Sequence, residues 1–297
     1  MFARPVFAGV FYFLTRRCTQ RQFLLRPDEE SNNAFLYCLG EAAERFDIDV
    51  IAITVMSNHY HCVLYDRNGN INEFTEHLNK FSAKCINALR GRSENLWASE
   101  PVCKVECIDP SDVVAKIVYA ATNPVKDFLV DTVAHWPGIN GLYPLLNDTP
   151  MRATRPTFFF RADGPMPTEV TLRLVIPPEL GVPDEIRREI RERVEKVEGH
   201  FAKLRERTGR RVLGRRRVLR QSWRDSPSSD APRRNLRPTV AAKNTWARIE
   251  ALQRNKQFLA EYRTARIAWL AGLPAIFPPG TYWLRRFARV VVAPLPV

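Results

Sequence analysis

The chain has 297 residues, 45 Lys/Arg against 32 Asp/Glu, a formal net charge of +13 and six cysteines. That length can bury one large core or two ordinary ones without staples, and cysteines scattered without CxxC spacing fit a reducing compartment rather than a disulfide framework. No run of about 18 uninterrupted apolar residues occurs, and MFARPVFAGVFYFLTRR lacks the basic start and cleavage site of a signal peptide, so a cytoplasmic protein with no membrane partner is expected.

Residues 6–15 (VFAGVFYFLT) are aromatic and β-branched enough for a strand, and RRCTQRQFLL follows as a polar loop. Ser31 to Phe46 carries Phe35, Leu36, Leu39, Ala42, Ala43 and Phe46 at helical spacing, with Ser31 or Asn32 as the N-cap. Residues 49–55 and 59–65 are apolar runs separated by Met56-Ser57-Asn58, an antiparallel hairpin. After Asn68-Gly69-Asn70 a second amphipathic helix is predicted over 71–90, then a short strand over 102–108. Asp109 or Ser111 then caps a third helix that runs to Pro124. The order β-α-β-β-α-β-α is that of an α+β, ferredoxin-like (split βαβ) domain, an antiparallel sheet with helices packed on one face.

Beyond Trp136 the pattern changes. TFFFRADGPMPTEVTLRLVIPP predicts a second hairpin, and PDEIRREIRERVEKVEGHFAKLRERTG an amphipathic helix with Ile186, Ile190, Val194, Val197, Phe201 and Leu204 on its stripe. Residues 225–237, rich in serine and proline, read as a linker, and 241–270 as a last helix. The positive charge is local: residues 1–145 hold 14 Lys/Arg against 17 Asp/Glu, whereas 187–224 hold 15 against 5. A polyanion is the natural partner of the second segment. Arg210, Arg211, Arg215, Arg216, Arg217 and Arg220 are candidates for phosphate contacts, with Trp223 free to stack on a base; a solvated charged helix face is the alternative.

VMSNHYHCVLYD holds the candidate chemistry. Alternate side chains of a strand share a face, so His59 and His61 point one way and Tyr60 the other. Two such imidazoles can meet one metal ion, although packing explains a lone His-x-His about as well. Tyr119 and Asn123, four residues apart, share a face of the third helix. If that helix packs on the histidine strand, the Asn123 carboxamide could join a two-His, one-amide site with the Tyr119 phenol alongside. Nitrogen and neutral oxygen donors suit Mg²⁺ or Mn²⁺. A phenol so placed could attack a phosphodiester; the plain alternative is a core-filling tyrosine. Glu106 and Asp109 could supply a carboxylate ligand or a helix cap, capping being the expected role of Asp109.

VMSNHYHCVL followed roughly sixty residues later by KIVYAATNPVKDFLV resembles the single-tyrosine transposases of the HUH superfamily, most closely the REP-associated tyrosine transposases. TRRCTQRQFLL is similar to that family's N-terminal segment, and the resemblance covers about residues 5–145. It implies His59 and His61 as the metal pair, Tyr119 as nucleophile and Asn123 as third ligand. It also implies cleavage and rejoining of hairpin-bearing single-stranded DNA through a 5′-phosphotyrosine, with no small-molecule substrate, a nucleoid-associated location and a homodimer as one open assembly. The residue between the histidines, commonly aliphatic in the family, is Tyr60, and the segment after the helix is HWPGINGLY. The organisation expected is a catalytic domain over 1–145, a hairpin-like connector over 146–183 and a basic, mainly helical DNA-binding region over 184–297. The rival readings are a nucleic-acid-binding module without turnover and a metal-dependent hydrolase that uses water.

Overall fold

A computed structural model describes residues 3–228 and 238–294. Strand β1 (Val10–Arg17) leads through a loop to helix α1 (Glu29–Phe46), the hairpin β2 (Ile48–Met56) and β3 (His59–Asp66), helix α2 (Ile71–Arg90) and strand β4 (Cys103–Cys107). The sheet order is β2-β3-β1-β4, antiparallel throughout, as a split βαβ domain requires. The first strand starts four residues later and ends two residues later than the apolar run predicts, because it extends through the polar Arg16 and Arg17 to match β3 residue for residue.

Period-2 alternation divides the sheet into two faces. Tyr60 is fully buried on one, its ring 5.2 Å from Phe35 of α1 and its hydroxyl 3.1 Å from Asn79 Oδ1 of α2. Helices α1 and α2 pack together there, the layer expected of the split βαβ unit. Helix α3 (Pro110–Ala121), which lies outside that unit, covers the opposite face, the face of Phe13 and His61. It ends at Ala121 rather than at Pro124, and a separate turn, α4 (Asn123–Lys126), begins with proline in its first positions, where the missing N–H costs nothing. Helix α1 is capped by Asp28, whose carboxylate accepts from Ser31 N at 2.9 Å and pairs with Arg90 of α2, so neither Ser31 nor Asn32 is the cap.

The core continues past residue 145. After the short helix α5 (Leu142–Leu146), β5 (Met151–Thr154) and β6 (Glu169–Leu172) form a hairpin against α1, with Phe158–Phe160 in its loop rather than in a strand. Gly40 makes that approach possible, since a Cβ there would lie 3.0 Å from Val170. Helix α6 (Pro183–Thr208) lays Ile186, Ile190 and Val194 into the same core against α3. Helix α7 (Arg215–Arg220) follows, anchored by the buried Val218. Most of the expected linker, residues 229–237, lies outside the described residues. Ala241, predicted to begin a helix, instead lies with Val240 in β7 (Val240–Ala241), parallel to β4 at the sheet edge, and α8 (Thr245–Leu270) starts after Asn244, whose side chain caps it. The chain then forms β8 (Ile276–Phe277), α9 (Trp283–Phe287) and β9 (Val291–Val292). All six cysteines are free thiols, and no helix among the described residues is long and apolar enough to cross a membrane.

Candidate active site

The histidine pair lies at the start of β3, held from both sides: His61 faces Thr15 of β1 and Thr54 of β2, and His59 faces Arg17 and Met56. Strand alternation puts both rings on the α3 face, their centroids 4.8 Å apart. The His61 ring stacks on Phe13 at 5.2 Å, and Tyr119 of α3 meets His61 edge-on at 5.4 Å and Phe13 at 5.9 Å. The phenol and the imidazoles, far apart in sequence, therefore converge. Tyr119 is 42% exposed, so a polymer phosphate has access to it.

Each imidazole has its Nδ1 occupied by an oxygen. Thr15 Oγ1 lies 2.9 Å from His61 Nδ1, and Asn58 Oδ1 lies 2.7 Å from His59 Nδ1. An oxygen acceptor at Nδ1 keeps the proton there and leaves the Nε2 lone pair for another partner. Burial lowers both proton affinities. The His59 pKa falls to about 4, with Arg17 and Arg21 contributing, and that of His61 falls well below the usual value, with His59, Lys116 and Lys126 contributing. Both rings are thus neutral near pH 7, the form that binds cations.

Asn123 completes the arrangement. Its Nδ2 lies 3.2 Å from His61 Nε2, while its Oδ1 is buried without a hydrogen-bond partner. A buried, unpaired carboxamide oxygen is costly unless something else uses it. With the amide turned over, so that this oxygen replaces Nδ2 beside His61 Nε2, the two Nε2 lone pairs and the oxygen would suit a hard divalent cation with open positions for water or phosphate. Among the described residues, no three His, Cys, Asp or Glu side chains cluster to hold a metal.

The α3 terminus is fixed from outside. Asn140 donates to Ala121 O at 2.9 Å, and Trp136 Nε1 donates to Val55 O at 3.0 Å. A Cβ on Gly138 would lie 2.9 Å from Val55 O of β2 and 2.5 Å from Trp136 Nε1, so only glycine lets HWPGINGLY lie this close to β2. That segment thereby sets the height of Asn123 above the histidines. The Tyr119 phenol has its pKa raised by burial and by Asp127, while Lys126 Nζ lies 4.6 Å from its ring centroid. Burial also lowers the Lys126 pKa and raises that of Asp127.

The other candidates divide. Glu106 shares a face with Tyr12, away from the histidines, and both its oxygens accept from Arg254 Nη2 at 2.7 Å, so it is no ligand of this site. Asp109 is the N-cap of α3, in a capping box with Asp112. Arg210, Arg211, Arg215, Arg216, Arg217 and Arg220 are all exposed. Their segment brackets the histidine end of the sheet. Leu213 N and Gly214 N donate to Phe128 O and Leu129 O, just beyond Lys126, while Arg26 donates to Gln221 O. Trp223 is half-buried with Arg224 at 4.2 Å and Arg92 at 5.9 Å from its ring, so a base would have to displace a guanidinium to stack there.

Sequence reasoning did not assign Thr15, Asn140 or Lys126, and it read Asn58 only as a turn residue. Of these, Asn58 carried a local signal, an amide immediately before the first histidine. Thr15 and Asn140 depend on sheet register and on a long-range contact that no spacing reveals.

A family model described as Transposase IS200 like matches residues 10–101. Among solved structures, a REP-associated tyrosine transposase bound to a REP hairpin aligns with 50% of this chain and 85% of its own, at 17% identity and a TM-score of 0.42. A candidate transposase from Deinococcus radiodurans R1 aligns with 35% of this chain and 82% of its own, at 20% identity and a TM-score of 0.28. No curated protein matches.

Proposed function

We propose that the protein cleaves and rejoins single-stranded DNA at hairpin-bearing repeats, with Tyr119 as the nucleophile, a reading supported by the match of residues 10–101 to the family model described as Transposase IS200 like. The observation that carries this reading is the meeting of an exposed phenol with a neutral imidazole pair beside a buried carboxamide whose oxygen has no hydrogen-bond partner. Mg²⁺ or Mn²⁺ held by His59, His61 and Asn123 would polarise the scissile phosphate and offset charge on its non-bridging oxygens.

The chain supplies the rest. Tyr119 loses its phenolic proton, its oxygen bonds to phosphorus, and the bond from phosphorus to the 3′ oxygen breaks, that oxygen leaving as a hydroxyl once protonated. The product is a 5′-phosphotyrosine, which conserves the energy of the broken linkage and lets a 3′-hydroxyl reverse the step without ATP. The raised phenol pKa makes deprotonation the demanding part. Lys126 over the ring favours the phenolate, and Lys116 adds positive charge near His61. The exposed arginines of 210–220 hold the flanking phosphates.

Incubating labelled hairpin single strands with the full chain and Mn²⁺ tests this. A covalent adduct that survives denaturation and vanishes in Tyr119→Phe is the expected result. Binding without any adduct would leave a non-catalytic module, and cleavage that persists in Tyr119→Phe would leave a hydrolase that uses water.

A further inference from the structure

The C-terminal arm beyond α8 exposes aromatic surface that the catalytic reading does not use. Trp283 and Phe287 of α9 stack on each other, centroids 5.4 Å apart and planes 18° apart, yet they remain 42% and 72% exposed. The helix that carries them is firmly mounted. Gly280, at φ +85°, packs against Phe7 and accepts from Val6 N at 3.1 Å, while Thr281 and Tyr282 are buried and Arg286 pairs with Glu73 of α2. A ring stack held out into solvent on a fixed base is a surface built for an occupant.

Charge identifies the occupant. After Glu261 the sequence has five arginines and no acidic residue. A second copy docked face to face would oppose these arginines to themselves, as an isologous interface requires. A polyanion with flat apolar faces complements both features. Duplex DNA hides its base faces, whereas unpaired nucleotides present them. We propose that Trp283 and Phe287 form a stacking platform for unpaired nucleotides, with Arg285 and Arg289 on their phosphates. Arg286 is held by Glu73, two residues past Ile71, whose N–H bonds to Asp66 at the end of β3 about seven residue steps or ~23 Å from His59, so the platform would take a single-stranded tail beyond the hairpin rather than the scissile phosphate.

The proposal rests on the DNA-processing reading, and its test is separable from cleavage. Equilibrium binding to the full chain is measured with a blunt hairpin, the same hairpin carrying an oligo(dT) tail, and oligo(dT) alone. Phe287→Ala, at a position too exposed to endanger folding, is expected to weaken tailed-hairpin and oligo(dT) binding roughly tenfold and to leave the blunt hairpin unchanged, with Phe287→Trp retaining tail binding. Arg285→Gln with Arg289→Gln should lower the salt dependence for the tailed hairpin and for oligo(dT), and leave that for the blunt hairpin unchanged. Unchanged tail affinity in Phe287→Ala, equal weakening on all three probes, or a wild-type dimer in sedimentation that Phe287→Ala splits would each overturn the proposal. Absence of a Tyr119 adduct in the wild type would instead strike the catalytic reading and leave tail binding standing.

Discussion

Thr15→Val tests the histidine pair at its most specific point. Thr15 Oγ1 lies 2.9 Å from His61 Nδ1, and Asn123 Nδ2 lies 3.2 Å from His61 Nε2. An amide nitrogen can only donate, so Nε2 is the acceptor, the ring proton is on Nδ1, and Thr15 accepts it. Valine keeps the shape of threonine but removes the acceptor. The stranded N–H then costs about 1–3 kcal/mol in a buried setting. The ring escapes that cost by moving its proton to Nε2, which is the atom a cation needs.

The same 1–3 kcal/mol corresponds to roughly 5- to 150-fold in affinity, which overlaps the ~10- to 100-fold typical of losing a hydrogen bond behind a metal-bound histidine. Calorimetric titration with Mn²⁺ should show that weakening in Thr15→Val and its reversal in Thr15→Ser. Adduct formation should fall at limiting Mn²⁺ and return at saturating Mn²⁺. Unchanged Mn²⁺ affinity in the valine variant would refute the tautomer assignment. So would a loss of activity that neither excess metal nor serine restores.

Lys126→Gln should slow adduct formation about tenfold at pH 7 and move the alkaline rise of the rate to higher pH, because the cation over the Tyr119 ring favours the phenolate; an unmoved profile would remove Lys126 from that role. In the metal-free protein the unfolded state binds more protons than the folded state between about pH 4 and 6.5, since the folded His59 pKa is near 4. Stability should therefore rise with pH across that window, by up to about 3 kcal/mol from His59, and His59→Gln should flatten denaturant midpoints measured from pH 4 to 7. Replacing Arg215 and Arg216 with Gln should lower the slope of log affinity against log salt by about 0.7–0.9 for each phosphate that these side chains neutralise; an equal slope would free them from DNA. Truncation near Pro183 is not a clean version of that experiment, because it would also strip Ile186, Ile190 and Val194 from the core.

The order of the first seven elements was legible because each carries an undisturbed period. Helix α2 is the clearest case, with Phe74, Leu78, Cys85 and Ile86 buried and both ends marked, by the Asn68-Gly69-Asn70 turn before it and Gly91 after it. The boundaries that sequence missed are those set by partners far along the chain. Asp28 caps α1 partly through Arg90 of α2. Residues Val240–Ala241 are strand only because Glu106 and Cys107 offer an open edge, and two residues are too few for a pattern. In the site, the residue types and the shared face of His59 and His61 could be read from alternation alone. The Nδ1 partners, the unpaired Asn123 oxygen and the hold of Asn140 on α3 all depend on which strand and loop lie opposite, which local sequence does not encode.

Tyr60 joins the fold to the chemistry. A one-residue slip of β3 would bring the imidazoles to the α1 and α2 layer and turn a phenol toward α3. Tyr60 opposes that slip. Its ring is enclosed by Phe35 at 5.2 Å and Trp97 at 5.7 Å, and its hydroxyl has Asn79 as a partner, an environment that no imidazole at that position would reproduce. The aliphatic residue more usual between such histidines could fill the apolar part of that space but not bond Asn79. The strand therefore has one parity that satisfies both faces. The tyrosine that packs against α1 and α2 is what holds the two imidazoles on the opposite face, beside Phe13 and Tyr119.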